Sequence, residues 1–336
     1  MKYSSSLIIG AGNWGTAFSL LPDSQNSRVL LYTRNQKVRD QILSSRENQE
    51  YLPGISLPDS IQVVSNLEEA IPMAQLVILA IPSHTIRNFL KEYKPLFSEN
   101  THFLNLSKGM EYPTGLRMSE VFDQVVGKPE NWATLSGPNL AMEIARSQPA
   151  IAVVASQSSQ LSKNIQEYIS STSFRAYTNP DLCGVEVCGA LKNVIAIGAG
   201  ICHGLNLGNN AVCALITRGI AEISRFGLHA GADPMTFLGL AGVGDLTVTC
   251  MSSSSRNHTL GTLIAGGETL EGAIQKTRMV AEGINTCRTI AKVAKEKRIY
   301  MPIVQGVAKI LFEGIQPQRV IQELMMSSLK SEKVEP

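Results

Sequence analysis

The sequence carries little charge and almost no excess of either sign: 17% of its 336 residues are charged, and 30 Lys and Arg against 28 Asp and Glu leave a formal net charge of +2. So even a balance builds no broad field that would draw nucleic acid or an anionic membrane, and any anion must be bound locally. The six cysteines (Cys183, Cys188, Cys202, Cys213, Cys250 and Cys287) include no C-x-x-C pair. A chain of this size needs no disulfide framework to fold, so reduced, packing thiols are expected. Nowhere do about 18 strongly apolar residues run unbroken, and no membrane span is expected. The apolar start Leu7-Ile8-Ile9 is too short for a signal peptide and leads straight into a glycine loop, which a cleaved segment would not do. Internal repeats are lacking, and the only biased stretch is the short run Met251-Ser252-Ser253-Ser254-Ser255. A cytoplasmic protein is the expectation.

What is present is enough apolar residue, 44% of the chain, to bury a full core over more than one domain of ordinary size. From residue 7 to about 178, β-branched runs alternate with helical stretches. Strand candidates are Leu7–Gly10, Arg28–Tyr32, Leu76–Ile81, His102–Leu106, Thr134–Leu135 leading to Ser136, Ala150–Ala155 and Phe174–Tyr177. Such alternation predicts a parallel, doubly wound α/β sheet of Rossmann type. Beyond Asn179-Pro180-Asp181, a turn and helix start, the pattern changes to long helical spacings at Asp181–Gly204, Asn209–Phe226, Glu282–Lys297, Ile303–Glu313 and Gln316–Leu329. The expected division is a dinucleotide-binding domain over 1–180, an all-helical substrate domain over 181–330 and a frayed tail over 331–336.

The loop Gly10-Ala11-Gly12-Asn13-Trp14-Gly15 follows a strand candidate and precedes the helical Thr16-Ala17-Phe18-Ser19-Leu20-Leu21. A G-x-G-x-x-G pattern alone is permissive; in that context it reads as a dinucleotide fingerprint. Gly10 serves the tight turn, Gly12 the close approach of backbone to pyrophosphate, and Gly15 the packing of helix on strand. About 20 residues on, where NAD enzymes commonly carry an acid, stands Tyr32-Thr33-Arg34. Arg34 is either a partner for the 2′-phosphate of NADP or a solvated surface residue. The missing acid favours NADPH over NADH. Ile81-Pro82 would line a nicotinamide; His84, with no partner at recognisable spacing, reads as a helix-start or surface residue.

In the apolar stretch Val185–Ile201 the only charges are Glu186 and Lys192. A helix apolar all round is a buried one, and an ammonium inside it costs several kcal/mol on an order-of-magnitude scale unless compensated. Lys192 is then a functional lysine with a lowered pKa, a lysine that snorkels to water, or the partner of Glu186 in a structural ion pair. Lys108 follows a strand, as does Ser136-Gly137-Pro138-Asn139, whose turn and helix start offer backbone donors to an anion. Asp245 is the one acid in a glycine-dense stretch, and Ser255-Arg256-Asn257 offers donors suited to phosphate, or else a solvated loop with a capping serine.

Taken together, GAGNWGTA at 10–17, NLSKGME at 105–111, SGPNLA at 136–141, ALKNVIAIGAGI at 190–201, GLAGVGDLTVTC at 239–250, SRN at 255–257 and AEGI at 281–284 resemble the NAD(P)-dependent glycerol-3-phosphate dehydrogenases of the soluble bacterial type. The resemblance spans nearly the whole chain in order. It implies interconversion of dihydroxyacetone phosphate and sn-glycerol 3-phosphate with NADPH or NADH, a supply of glycerol 3-phosphate for glycerophospholipids, and a homodimer. It also implies residues: Lys192 as the proton donor and acceptor; Lys108, Gly137, Asn139, Asp245, Ser255, Arg256 and Asn257 against the substrate; and Asn13, Trp14, Arg34, Lys108, Ala141, Arg256, Val280 and Glu282 against the dinucleotide. Val280 and Glu282 rest on the resemblance alone. Asn13 and Asn139 depart from the commoner family residues while keeping a hydrogen-bonding group, and Met251 with the serine run replaces a more mixed loop.

Two other readings remain open on the residues. One is a ketone or β-hydroxyacid reductase on the same two-domain plan, with a carboxylate where the phosphate would be. The other is a cofactor-sensing module without chemistry, which would leave a buried Lys192 beside Asn193 without a task.

Overall fold

In a computed structural model, residues 3–22, 27–277, 282–326 and 328 are described. The chain divides into two compact units, residues 1–107 with 118–182, and residues 108–117 with 183–336. The second unit therefore takes in a ten-residue segment that lies, in sequence, inside the first.

The first unit is an eight-stranded sheet with β1 Ser5–Ile9, β2 Arg28–Tyr32, β3 Ile61–Val64, β4 Leu76–Leu79, β5 His102–Asn105, β6 Trp132–Ser136, β7 Ala150–Ser156 and β8 Phe174–Asn179. Its helices are α1 Asn13–Phe18, α2 Gln36–Ser45, α3 Leu67–Ala70, α4 Ile86–Tyr93, α5 Met118–Val125, α6 Ala141–Ala145 and α7 Ser159–Ile169. The strand order is β3-β2-β1-β4-β5-β6-β7-β8. The order reverses between β1 and β4, the switch point at which doubly wound sheets bind their ligands. Ile9 is in register with both Tyr32 and Leu79, so the loops after β1, β2 and β4 leave the same sheet edge.

Two features differ from the sequence expectation. Strand β3 was not foreseen, because four residues at a sheet edge with Gln62 exposed give too little alternation to read. The sheet is also not wholly parallel: β7 runs antiparallel to β6, and β8 is parallel to β7. Residues 137–149 hold only the five-residue α6, which packs on α1, whereas a parallel return is usually carried by a full crossover helix. The core of this unit is built from Ile8, Phe18, Val29, Leu31, Ile42, Ile78, Leu104, Leu135 and Phe174, all essentially without solvent exposure. Runs apolar on both faces, such as the four buried residues of β4, are what a sheet covered by helices on both sides requires.

The second unit contains α8 Leu182–Gly204, α9 Gly208–His229, α10 Asp245–Met251, α11 Arg256–Ala265, α12 Leu270–Thr277, α13 Glu282–Glu296, α14 Pro302–Glu313 and α15 Pro317–Met325. No strand occurs in it among the described residues. By length and composition alone helix α8 is apolar enough to cross a membrane, but its most apolar window is wholly buried inside the protein. It is a core helix. A Cβ on Gly200 would come within 1.9 Å of the His258 carbonyl oxygen, and one on Gly261 within 2.1 Å of that of Ile197, so α8 and α11 cross backbone to backbone. Helix α14 starts at Pro302, and its first free N–H groups, those of Ile303 and Val304, donate to Glu222 of α9 at 2.7 and 3.1 Å. Among the described residues no disulfide forms; Cys188, Cys202, Cys250 and Cys287 are buried thiols.

Candidate functional site

In the first unit the glycine loop joins β1 to α1. Gly10 has φ of +111°, and a Cβ there would lie 2.5 Å from the Ala80 carbonyl oxygen, while one on Gly15 would lie 1.9 Å from the Gly10 oxygen. Both positions exclude a side chain. A Cβ on Gly12 would meet nothing within 4 Å, so backbone is bare there at the start of α1, which has no side-chain cap on Gly12. Asn48, fully buried, braces the loop by donating from Nδ2 to the Ala11 oxygen at 2.9 Å and to Thr16 Oγ1 at 2.8 Å. Sequence spacing gave no hint of this residue, which lies 37 positions from Ala11.

Asn13 Oδ1 accepts from the Trp14 N–H at 2.8 Å, and the Trp14 ring packs edge-on to Phe18. The indole Nε1 of Trp14 is buried without a hydrogen-bond partner. Arg34 is exposed two residues beyond β2 and makes no described ion pair. His84 is an exposed residue in the turn that opens α4. At the end of β6, Gly137 has φ of +139°, and a Cβ there would lie 3.0 Å from Ala152 Cα. Both polar atoms of the Asn139 amide are buried without a partner. Buried polar groups are normally satisfied, so this amide has hydrogen-bonding capacity that suits a ligand's polar group. Ala141 opens α6. A bare glycine backbone at the switch-point edge, together with an unsatisfied indole N–H, fits a dinucleotide.

In the second unit Lys192 of α8, Asp245 and Thr249 of α10, and Lys108 form one connected cluster. Lys192 Nζ donates to Asp245 Oδ1 at 2.5 Å and to Thr249 Oγ1 at 2.7 Å, and Lys108 Nζ donates to Asp245 Oδ2 at 2.8 Å. Each carboxylate oxygen thus carries one ammonium. Lys192 is 6% exposed and Asp245 1% exposed, which settles two of the three readings of Lys192: it does not snorkel, and its partner is not Glu186. On a helix, residues six apart point about 240° apart, so Glu186 cannot share the Lys192 face; it pairs with Arg117 instead.

Burial pushes the Lys192 ammonium from 10.5 down to about 8, opposed by the attraction of Asp245 and assisted by the charge on Lys108. For Asp245, burial pushes upward, but the two lysines outweigh it and hold the carboxyl below the usual value. The pair is therefore ionised, with one member close to the pH at which proton transfer runs.

The sequence reading missed Thr249, although it lies four residues after Asp245 and so on the same face of α10. Its hydroxyl donates to the Asp245 carbonyl oxygen at 2.6 Å, leaving a lone pair for the lysine. A π-helical turn, Leu240–Gly244, leads directly into this helix and turns the glycine-dense stretch into the mount for Asp245. Asn193 donates to the Lys108 carbonyl oxygen at 2.9 Å. Asn257, buried, accepts from the Gly283 N–H at 3.1 Å, and a Cβ on Gly283 would lie 2.6 Å from Asn257 Oδ1 and 2.9 Å from the Asn193 oxygen. Asn257 is thereby held beside Gly283, which itself approaches the Asn193 carbonyl oxygen of α8.

Ser255 caps α11 by accepting from the His258 N–H at 3.4 Å. A hydroxyl that accepts a cap bond keeps its own hydrogen for an anion, so capping and ligand binding are compatible there. Arg256, exposed, is the first residue of α11, and Glu282 opens α13. Val280 lies outside the described residues, as does the tail 331–336. Within the second unit the structure therefore brings Lys108, Lys192 and Asp245 together, while Asn257 is held on the Gly283 N–H. Gly137, Asn139 and Ala141 belong to the first.

With this geometry in hand, comparison with known proteins gives a consistent result. The model of the NAD-dependent glycerol-3-phosphate dehydrogenase N-terminus matches residues 7–162, and that of the C-terminus matches residues 181–322. Glycerol-3-phosphate dehydrogenase [NAD(P)+] of Pelotomaculum thermopropionicum is 42% identical over 320 residues, covering 95% of this chain and 92% of that protein. The Streptomyces avermitilis protein of the same name is 43% identical over 328 residues, covering 97% of each. The crystal structure of glycerol-3-phosphate dehydrogenase from Coxiella burnetii superposes with a TM-score of 0.92 at 34% identity, covering 97% of this chain and 99% of that one.

Proposed function

Because the chain belongs to the NAD-dependent glycerol-3-phosphate dehydrogenase family, we propose that its two sites carry out that family's reaction, with Lys192 as the group that moves the proton. The protein is an NAD(P)-dependent oxidoreductase that interconverts dihydroxyacetone phosphate and sn-glycerol 3-phosphate, and its product is the backbone precursor of glycerophospholipids. The observation that carries the assignment of roles is the buried Lys192–Asp245–Lys108 cluster.

The dinucleotide supplies hydride to the ketone carbon when it is bound. The loop Gly10, Gly12, Asn13, Trp14 and Gly15 holds it, with Arg34, Lys108, Ala141, Arg256, Val280 and Glu282 as further contacts. Lys192 gives a proton from Nζ to the ketone oxygen as negative charge develops there, and in the reverse direction its neutral amine takes the hydroxyl proton. Asp245 keeps that amine charged against burial and, with Thr249, fixes where Nζ points. Lys108 places a second positive charge beside the developing alkoxide, a preorganised stabilisation that requires no movement in the reaction. Ser255, Arg256 and Asn257 anchor the phosphate, with Gly137 and Asn139 completing the substrate contacts. Binding energy at the phosphate then orients the reacting carbon. NADPH is the favoured dinucleotide, because Arg34 stands where an acid would repel its 2′-phosphate. The working form is a cytoplasmic homodimer.

The test is the initial rate of NADPH and NADH oxidation with dihydroxyacetone phosphate, compared with carboxylated ketones of similar size, for the native protein and Lys192→Ala. Dependence on the phosphorylated ketone, with turnover lost and NADPH affinity kept in Lys192→Ala, is expected. Near-normal turnover in that variant would remove Lys192 from the chemistry, and a preference for carboxylated ketones would remove the phosphate anchor.

A further inference from the structure

Residues 108–117 leave the first unit to join the second, and Lys108 is the first of them. The cluster needs this segment to arrive with its lysine in register, yet a ten-residue connection has no strand or long helix of its own to hold it. Three sets of bonds do so. At its start, Lys108 Nζ reaches Asp245 and its carbonyl oxygen accepts from Asn193 of α8. In its middle the segment folds on itself: the Glu111 N–H donates to the Leu116 oxygen at 2.9 Å, the Gly115 N–H to the Glu111 oxygen at 2.8 Å, and Thr114 Oγ1 to Glu111 Oε2 at 2.6 Å. At its end Arg117 Nη1 lies 3.3 Å from Glu186 Oε2, again on α8, with the two side chains 19% and 5% exposed.

Glu186 and Asn193 are seven residues apart, two turns along one face of the helix. The segment is thus a strap closed on itself and fastened to one face of α8 at both ends, with Lys192 one residue from the nearer fastening. We propose that the Arg117–Glu186 ion pair is a positioning device for the reaction: by fastening the far end of the strap it sets where Lys108 meets Asp245. This rests on the role given to Lys108 above. A pair formed only for stability would have no reason to act through one particular lysine. A carboxylate as buried as Glu186 needs a fixed cation, and the planar guanidinium of Arg117, which holds a preferred approach direction, suits a register-setting contact better than an ammonium would.

The experiment is a double-mutant cycle in the full-length protein, measuring kcat and KM for dihydroxyacetone phosphate, with NADPH affinity and thermal unfolding followed in parallel. Arg117→Met is expected to lower kcat/KM roughly 10- to 100-fold, the scale of a misplacement of about 1 Å, while NADPH affinity stays at the native level. Arg117→Lys recovers part of that loss. In a Lys108→Met background, Arg117→Met has no further effect, because the lysine it positions is gone. Glu186→Gln, which keeps shape and removes only charge, shows the same dependence on Lys108 and covers the case in which Arg117→Met does not fold. Equal losses in the two backgrounds, or no loss in the native background, overturn the proposal. A silent Lys108→Met by itself overturns the reading of Lys108 first, and this one with it.

Discussion

Asp245→Asn changes one oxygen for a nitrogen in a side chain that is 1% exposed, so it removes a charge and leaves the shape. In the native site the carboxylate opposes the burial that pushes Lys192 down, and the balance stands at about 8. A hydrogen bond to a charged partner contributes about 1.5–3 kcal/mol, and one pH unit corresponds to roughly 1.4 kcal/mol. Loss of the carboxylate therefore moves Lys192 down by about one to two pH units. In the reducing direction the ammonium is the active form, so kcat/KM for dihydroxyacetone phosphate is flat below the lysine pKa and falls above it; the native limb lies near 8 and that of the variant near about 6–7. In the oxidising direction the neutral amine is active, and the limb rises instead of falling, moving by the same amount.

The assay is the initial rate of NADPH oxidation across roughly pH 6–10, with the reverse reaction run in parallel. Stability gives an independent reading. Breaking a buried pair costs about 3–5 kcal/mol at pH below the variant's limb, where the remaining ammonium is left without its anion. For a lysine depressed in the folded state the unfolded chain binds more protons between the folded pKa and 10.5, so stability rises with pH over that window. Part of the deficit should return as the solution is made alkaline. A variant whose rate limbs stay where the native ones are would show that Asp245 does not set the lysine, and the account of the site would fail.

Three further outcomes follow. Arg34→Asp should shift preference from NADPH towards NADH by roughly tenfold or more, the scale of one lost charge-assisted phosphate contact replaced by repulsion; an unchanged ratio of kcat/KM for the two dinucleotides refutes the role of Arg34. Burial raises the Glu222 carboxyl from 4.5 to about 7 against the pull of the Ile303 and Val304 N–H groups, so its contribution to stability is whole below 4.5 and is lost as pH rises through about 7. Glu222→Gln keeps one of the two acceptor bonds and cannot ionise, so the native-minus-variant difference in unfolding free energy should shrink by roughly 3 kcal/mol across that window, and parallel denaturation curves would contradict it. Gly15→Ala puts a methyl 1.9 Å from the Gly10 oxygen and should weaken NADPH binding at least tenfold while the pH limb set by Lys192 stays in place; native affinity would mean that the loop tolerates what its geometry excludes.

How much of this was legible in the sequence depended on whether the signal was local. Strand-then-glycine spacing identifies the loop at Gly10–Gly15, and the unbroken apolar character of Val185–Ile201 identifies a buried helix, because both are properties of neighbouring residues. The antiparallel turn into β7 was not legible, since it depends on what α6 packs against, and strand β3 was too short for its alternation to register. The alternatives for Lys192 could not be separated by spacing alone. Arg117, which takes Glu186, lies 69 residues from it, and Asp245 lies 53 from Lys192, and no local pattern chooses between partners at such separations. Asn48 and Thr249 were missed for different reasons: the first is a long-range brace, whereas the second sat in plain view four residues from Asp245.

The lysine itself shows why such a site has to be assembled from distant parts. Helix α8 alone would hold Lys192 in an apolar environment that drives it neutral, and a neutral amine cannot give a proton to an alkoxide. Asp245 alone, in water, would leave the lysine near its ordinary 10.5, where it stays charged and is a poor base for the reverse reaction. Only burial and anion together bring it to about 8, and Lys108, sharing the second oxygen of the same carboxylate, keeps the anion from overcorrecting. Three elements, α8, α10 and the strap from Lys108 to Arg117, each supply one of those opposing influences: burial, the anion and the second cation. A change in any one should therefore move the pH limb in a direction fixed by its sign: removing Lys108 raises the Lys192 pKa, and removing Asp245 lowers it. Opposite shifts of the reduction limb in Lys108→Met and Asp245→Asn are the expected signature, and shifts of the same sign would mean that the two residues do not act on Lys192 through their charges.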